Sequence, residues 1–475
     1  MNDGNQLAQA HTKRPQTIRH RAGVARAAQE STPAVPRFVH STGFLIVFAL
    51  LTLLMGGLWM AHTQMSRIPD LWEHVYRVSA ITNGDIIPRH VDSTSHYHSS
   101  ASDNVGGKVD WKWIRLSDAH RDPFDSGVVD LNSITQKDST GADVPFNNTG
   151  IYSPVSYLPQ IAGFALGKAF GLSAATTFYL AETMMLLAYT ILTTWGMSLL
   201  PKHRLTMAIL LLSPPVIYHF SFAISADSLT QALMILFSCM VMALYRNGPR
   251  DGHLVVAGVV AVLLSLTKYA FIPMILLLPV VLAVHRPRPR RQWIIVTSSI
   301  ILGFCMVAAW MRITSGFVSN PASVSPEEVH GRVLSLFTQP QRALSAIVYS
   351  VVHLQGAFRS PVILLLVWAA FAFVAVCVVV DACAPPRNPR SAIFLGSIIV
   401  VAAGCVFATY LAMWLQGTPA GQKGVYIMQL RYLVPLMPCM LLCTAEALSE
   451  IRTKHAIRLA GADPTAPPTR APADC

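Results

Sequence analysis

The stretch Phe44–Ala61, FLIVFALLTLLMGGLWMA, contains no charged residue. An apolar run of about 18–20 residues is long enough to cross the hydrocarbon core of a bilayer as a helix. The run follows a basic tail of about 40 residues and exceeds the apolar core of a secretory signal, which is about 7–15 residues long. We therefore expect a retained signal anchor, with residues 1–43 forming a disordered cytoplasmic tail.

The composition extends this conclusion to the whole chain. Of its 475 residues, 53% are hydrophobic and 13% are charged, whereas soluble proteins carry about 25% charged residues. The pattern predicts an all-α polytopic membrane protein with about ten transmembrane helices. The candidate spans are 44–62, 174–199, 205–222, 228–245, 254–267, 269–285, 293–312, 361–382, 391–414 and 429–448.

The positions of the cysteines do not indicate a disulfide framework or a zinc site. The eight cysteines lie in or beside apolar runs or at the C-terminus, and none lies in the polar segment 63–155. No CxxC pair occurs. A disulfide framework or a cysteine-based zinc site is therefore not expected.

The distribution of Lys and Arg along the chain predicts the membrane topology. Short clusters of Lys and Arg separate the candidate spans, and such clusters stay on the cytoplasmic side. With both termini cytoplasmic, the whole net charge of +12 falls in the inner segments, so membrane topology explains it better than nucleic-acid binding. The expected domains are a tail over 1–43, a transmembrane domain over 44–448 and a second disordered tail over 449–475. The large extracytoplasmic regions are then 63–155 and 313–360.

The first of these outer regions begins with a polar helix. The stretch RIPDLWEHVYRVSAITNGD covers residues 67–85, and Pro69 suits the first turn of a helix. Ionisable side chains recur at i, i+3, i+4 and i+7 and share one face of a helix over 69–82: Asp70, Glu73, His74 and Arg77. Apolar residues dominate the other face. We expect an amphipathic helix on the outer surface with Trp72 at headgroup depth, and a solvated face with charge pairing is the alternative.

Two further stretches complete this outer region. VDWKWIRL, residues 109–116, alternates like a short strand with Trp111 and Trp113 on one face, and we expect it in a small folded module. VPFNNTGIYSPVSYLPQIAGFALG, residues 144–167, returns the chain to the membrane through Tyr152 and Tyr157. These tyrosines are either interfacial anchors or a platform for a sugar or a lipid headgroup.

Three ionisable residues stand at the outer ends of later spans. Asp227 lies in SFAISADS, Lys268 in LTKYAFIP and Arg431 in QLRYLVP. Ionisable groups at membrane depth are costly and usually face a cavity or a partner. Their placement on the same side as Asp70 favours a site over three separate anchors.

Taken in order over about residues 44–448, these stretches resemble a family of bacterial membrane proteins, domain of unknown function 2142, placed in the GT-C superfamily of membrane glycosyltransferases. The resemblance rests on the segment from Pro69 to Arg77, on Asn148-Thr149 with the two Tyr-x-Pro units and Gln160, on Ser225-Ala-Asp227, and on Gln429-Leu430-Arg431-Tyr432. Two residues depart from the family pattern. Leu71 stands where the family usually has a second acid, and Leu430 replaces a glycine.

The resemblance implies a transferase that moves a sugar from a polyprenyl-phosphate donor to a glycan acceptor of the cell envelope. Asp70 would be the base or a metal ligand, with Glu73 and His74 assisting, since an acceptor hydroxyl needs a positioned carboxylate to take its proton. Lys268, Arg431 and Arg77 would bind the donor phosphate. The resemblance implies six substrate-binding residues: Tyr152, Tyr157, Gln160, Asp227, Gln429 and Tyr432. A divalent metal, Mg²⁺ or Mn²⁺, is compatible with Asp70.

Two other functions compete with this one. A transporter or flippase of lipid-linked sugars would use the outer cations without a catalytic acid, although we find no internal repeat halves of the kind that many transporters have. A non-catalytic membrane protein of envelope assembly is consistent with Leu71 in place of the second acid. Membrane lipids are partners under each of the three readings.

Overall fold

The computed structural model describes residues 37–95, 103–121, 127–321, 323–352, 361–384, 389–426 and 429–459. This part of the chain is mostly helical. Its helices are α1 (Thr42–His62), α2 (Leu71–Thr82), α3 (Trp111–Ala119), α4 (Asn147–Gly150), α5 (Leu158–Ala169), α6 (Ala174–Leu199), α7 (Arg204–Leu211), α8 (Pro214–Ile217), α9 (Ala226–Asn247), α10 (Asp251–Thr267), α11 (Leu277–Val284), α12 (Arg290–Ile313), α13 (Pro326–Thr338), α14 (Gln341–Val352), α15 (Pro361–Cys383), α16 (Pro389–Gln416) and α17 (Met437–Leu459). Short 3₁₀ turns connect several of them.

Within the described ranges, six helical segments are long and apolar enough to cross a membrane. They are α1, α6, α9, α12, α16 and the segment Val434–Ala456, which includes most of α17. The chain is therefore a polytopic membrane protein, but the predicted count of about ten spans is not confirmed.

Three of the remaining predicted spans are shorter or broken. Asp251–Thr267 and Tyr269–Val284 are apolar helices of 10–17 residues, whereas α15 covers the predicted span 361–382. The predicted span 205–222 consists of the short helices α7 and α8. Pro214 begins α8, and a proline ends a preceding helix because it lacks the N–H and restricts the residue before it.

The described parts of residues 65–157 form a folded module in which a small sheet accompanies the helices. Strands β1 (Arg89–His90), β2 (Val105–Asp110) and β3 (Gly141–Pro145) pair antiparallel in the order β1-β2-β3. Gly106 pairs with Pro145, and a Cβ at Gly106 would lie only 1.9 Å from the Val144 carbonyl oxygen. The pairing needs this glycine because the two backbones approach so closely.

Helix α2 is the centre of this module, which corrects the prediction of a surface helix. Trp72 is fully buried and packs with its ring centroid 6.5 Å from that of Phe178. Glu73, His74 and Arg77 of the polar face are buried as well, and Asn148 of α4 bonds to Glu73. Trp72 therefore belongs to the protein core and not to the headgroup layer.

The alternating stretch 109–116 divides between two elements. Strand β2 ends at Asp110, and helix α3 begins at Trp111. Trp113 stacks on Phe164 with ring centroids 4.3 Å apart, whereas the Trp111 indole N–H donates to the Asp138 carbonyl. The expected module is present, but the expected strand continues only to Asp110 because packing of Trp113 against α5 favours a helix.

The module joins the membrane part through the hairpin of α5 and α6. A Cβ at Gly163 of α5 would lie 2.5 Å from the Ala181 Cα of α6. The helices pack this closely only because Gly163 lacks a side chain.

The final helix α17 continues to Leu459, past the predicted boundary at 448. Residues 1–36 and 460–475, which contain most of both predicted tails, lie outside the described residues.

We predict that Gly163→Ala lowers the melting temperature of the purified protein in detergent. The added methyl group forces α5 and α6 apart, and overpacking of this kind costs about 1–3 kcal/mol. Gly252→Ala is the matched control, because a Cβ at Gly252 has no atom within 4 Å. Equal melting temperatures for the two variants would contradict the close helix contact.

Candidate functional site

Asp70 stands at the entrance to α2 in an unusual backbone conformation. Its φ and ψ are 55° and 23°, in the left-handed region, which Asp and Asn visit more readily than most other residues. Its carboxylate pairs with the Arg431 guanidinium. Arg431 also donates to the Pro69 carbonyl over 3.4 Å. Two segments separated by 361 positions are thus joined at the predicted base.

Asp227 and Lys268 form a second ion pair beside the first. Ser225 caps α9, where its Oγ accepts from the Asp227 N–H over 3.2 Å, and Lys268 directly follows the last residue of α10. Arg431 Nε lies 3.8 Å from an Asp227 carboxylate oxygen. The four charges therefore form one network of alternating sign with a formal sum of zero.

Two tyrosines surround the cations. Lys268 Nζ lies 5.4 Å from the Tyr152 ring centroid and 4.9 Å from that of Tyr432. The Arg431 guanidinium lies 5.2 Å from the Tyr432 centroid. These are cation–π distances, and such contacts stabilise a partly dehydrated cation by about 0.5–2 kcal/mol.

His74 connects this network to the module. Its Nδ1 is hydrogen-bonded to the Tyr157 hydroxyl at 2.7 Å, and its Nε2 lies 3.4 Å from Ser225 Oγ. The Tyr152 ring lies nearly parallel at 6.2 Å. Burial disfavours the charged imidazolium and lowers the pKa of His74 to about 4 despite the nearby Asp70 carboxylate. His74 is therefore a neutral hydrogen-bonding group at physiological pH.

Electrostatics also favour an ionised Asp70. Enclosure by the surrounding chain opposes its charge, but the Arg431 guanidinium outweighs this effect and holds the pKa of Asp70 below its usual 3.8. A carboxylate held in this way is a weak base while the ion pair persists, since the same cation that stabilises the charge opposes its protonation.

These groups line one cavity of about 150 Å³. Of the predicted site residues, the cavity wall contains Asp70, His74, Tyr152, Asp227, Lys268, Gln429, Arg431 and Tyr432. Residues from the folded module, from the ends of α9 and α10, and from the segment before α17 meet there. Sequence positions from 70 to 432 thus surround one space.

Four predicted site residues lie behind the wall and support it. Glu73 accepts from the Asn148 N–H at 2.8 Å and from its side-chain amide at 3.2 Å. Arg77 donates to the Asp85 and Ile86 carbonyls. Tyr157 holds His74, as described above. Gln160 donates to the Ala223 and Ser225 carbonyls over 3.3 and 3.2 Å. Their side chains position the wall from behind.

Further polar residues of the wall were not predicted: Asn148, Thr149, Ser319, Asn320, Thr409 and Gln416. Ser319 donates from its N–H and its hydroxyl to Gln416 Oε1, at 3.2 and 2.9 Å. The Asn320 side-chain oxygen is buried and has no hydrogen-bond partner in the described structure. These residues stand in no charge pattern, and Asn148-Thr149, beside the first Tyr-x-Pro unit, is the only part that a sequence motif marked.

Two serines attach segment 144–167 to the end of α10, beside the cavity. Ser153 Oγ donates to the Leu266 carbonyl over 2.8 Å, and Ser156 Oγ donates to that of Thr267 over 3.0 Å. These bonds satisfy the last carbonyls of α10, which have no partner within the helix. They fix Tyr152 over Lys268.

The potential metal ligands among the described residues do not by themselves define a metal site. The described residues contain no group of three or more His, Cys, Asp or Glu side chains placed to hold a metal ion. In the cavity, the oxygens of Asp70 and Asp227 face cations of the protein. A divalent ion at Asp70 would have to displace Arg431.

We predict that acidification between pH 6.5 and 4 destabilises the protein in part through His74. The unfolded chain binds a proton near pH 6.5, whereas the folded His74 does so only near pH 4, so stability falls as pH decreases through this window. The expected contribution is up to about 3 kcal/mol. Thermal unfolding in detergent should show a shallower pH dependence for His74→Gln, and an unchanged slope would contradict the assignment.

Comparison with known proteins identifies the family of the chain. No curated protein and no solved structure matches the chain. The family of predicted membrane proteins DUF2142 matches residues 53–440, a range that includes every residue of the cavity wall. The chain therefore belongs to the DUF2142 family of predicted membrane proteins.

Proposed function

We propose that this protein is a membrane glycosyltransferase that transfers a sugar from a polyprenyl-phosphate donor to a glycan acceptor of the cell envelope. The observation that carries the proposal is the shared cavity, in which an acid on the outer module faces two cations from the ends of the membrane helices. Transfer from such a donor requires both a base for the acceptor and cations for the leaving phosphate.

The reaction is a single displacement. The acceptor hydroxyl oxygen forms a bond to the anomeric carbon of the sugar, and the bond from that carbon to the phosphate oxygen breaks. The bonding electron pair leaves with the lipid phosphate, where Lys268 and Arg431 stabilise the charge. Asp70 takes the hydroxyl proton. Attack from the side opposite the phosphate inverts the anomeric configuration.

The other cavity residues have binding roles in this scheme. Tyr152 and Tyr432 both present ring faces to Lys268, and we assign the sugar or the lipid phosphate to the space beside them. Gln429 and Asp227 add polar atoms to the same wall. His74 is neutral and serves as a hydrogen-bonding partner. Glu73, Arg77, Tyr157 and Gln160 act as positioning residues, because their polar atoms bond to the protein behind the wall.

The cellular setting follows from the same proposal. The enzyme lies in the bacterial plasma membrane, crosses it about ten times and has both termini in the cytoplasm. Its cavity then opens on the outer face, where lipid-linked sugars and envelope glycans meet.

We predict that Asp70→Asn abolishes sugar transfer without preventing folding. Asn retains the size and the left-handed backbone preference of Asp but cannot accept the proton, and general-base contributions are about 10²–10⁴-fold. The measurement is analysis of envelope glycans in a deletion strain complemented with each variant, together with the amount of protein in the membrane.

Two controls accompany this experiment. Asp118→Asn changes an exposed acid of α3 and should leave the glycan unchanged. Glu73→Gln should lower the amount of folded protein, because Glu73 holds Asn148. If transfer persists in both Asp70→Asn and Glu73→Gln, the proposed chemistry is wrong. A transporter would tolerate both changes and still require Lys268 and Arg431.

A further inference from the structure

The charges of the cavity cancel within the protein. Arg431 pairs with Asp70, and Lys268 pairs with Asp227. An anionic ligand that enters the cavity therefore meets cations already neutralised by carboxylates. It gains strong contacts only where it takes the place of one of these carboxylates, because a cation shared with a second anion binds each of them less strongly.

Burial distinguishes the two pairs. In the second pair both side chains are buried, with Asp227 6% and Lys268 11% exposed. In the first pair Arg431 is also buried, at 11% exposed, but Asp70 is 30% exposed. Separating two buried partners leaves an uncompensated charge and is strongly unfavourable. A carboxylate that already contacts solvent can be rehydrated at lower cost. The Asp70–Arg431 pair is therefore the one that opens.

Arg431 has the geometry to accept a new partner. Its Nε is buried and has no hydrogen-bond partner in the described structure, although the Asp227 carboxylate lies 3.8 Å away. A phosphate provides several acceptor oxygens, and two of them match the fork of a guanidinium. Asp70, in contrast, engages Arg431 through a single carboxylate oxygen.

We propose that Asp70 occupies the position of the ligand phosphate in the empty site, and that a lipid phosphate displaces it from Arg431. This inference rests on the proposed function for the identity of the ligand. The exchange has a consequence for the reaction. Asp70 loses the cation that makes it a weak base at the moment when the donor arrives, so the base becomes competent only when the donor is bound.

The inference predicts that Asp70→Asn binds a lipid phosphate more tightly than the wild type. Asn removes the competing charge, and it tolerates the backbone conformation at position 70. We expect a gain in affinity of about tenfold, corresponding to about 1.4 kcal/mol. An essential ligand contact at Asp70 would instead lower the affinity.

The experiment measures binding of a polyprenyl monophosphate, which carries no sugar to transfer, to the full-length protein in detergent. The corresponding polyprenol without phosphate reports the contribution of the lipid chain. Asp118→Asn controls for the change in net charge, since its carboxylate is exposed and pairs with Arg121. Arg431→Gln removes the cation and should weaken phosphate binding.

The outcomes separate this inference from the proposed function. Tighter binding by Asp70→Asn, with Asp118→Asn unchanged, supports the exchange. Equal or weaker binding by Asp70→Asn, with a clear preference of the wild type for the phosphorylated lipid, overturns the exchange but leaves the donor site in place. If neither the wild type nor Asp70→Asn prefers the phosphorylated lipid, both the donor class and the exchange are wrong. Should Asp70→Asn misfold, Asp70→Ser provides the same test.

Discussion

The ion pair between Asp70 and Arg431 joins the two parts of this protein that carry the site. Asp70 belongs to the folded module that follows the first span, and Arg431 precedes the last span. Neither residue has a full set of partners in its own segment. The pair is also adjacent to the cavity, so the same contact that holds the segments together sets the charge of the site. The charge of the site and the proposed chemistry thus depend on one carboxylate.

The rest of the site can be understood as support for this network. Helix α2 is buried on both faces, and its polar side chains extend in two directions. His74 faces the cavity, and Glu73 and Arg77 bind backbone groups of neighbouring loops. Buried polar groups need such partners, since an unpaired one costs about 1–3 kcal/mol. The charges on α2 therefore divide between holding the module and forming the site.

The tyrosine and serine residues of segment 152–157 fix the geometry of the cavity wall. Ser153 and Ser156 attach this segment to the end of α10, and Tyr152 is thereby fixed above Lys268. A cation in contact with two aromatic rings and a carboxylate has little freedom to move. Groups held by packing and hydrogen bonds need little reorganisation when charge develops, which is the physical basis of electrostatic catalysis.

The sequence by itself determined the membrane class, the approximate positions of the long spans and the charged residues of the cavity wall. The length of each apolar run and the charged residues beside it carry that information, because each segment must satisfy the requirements of the bilayer by itself. Only the tertiary structure decided which polar residues face the cavity and which lie behind it. Asp70 caps α2 and Glu73 lies three positions later in its first turn, so helical periodicity cannot show which of them contacts Arg431. That choice depends on contacts between segments far apart in the chain, and no local pattern records them.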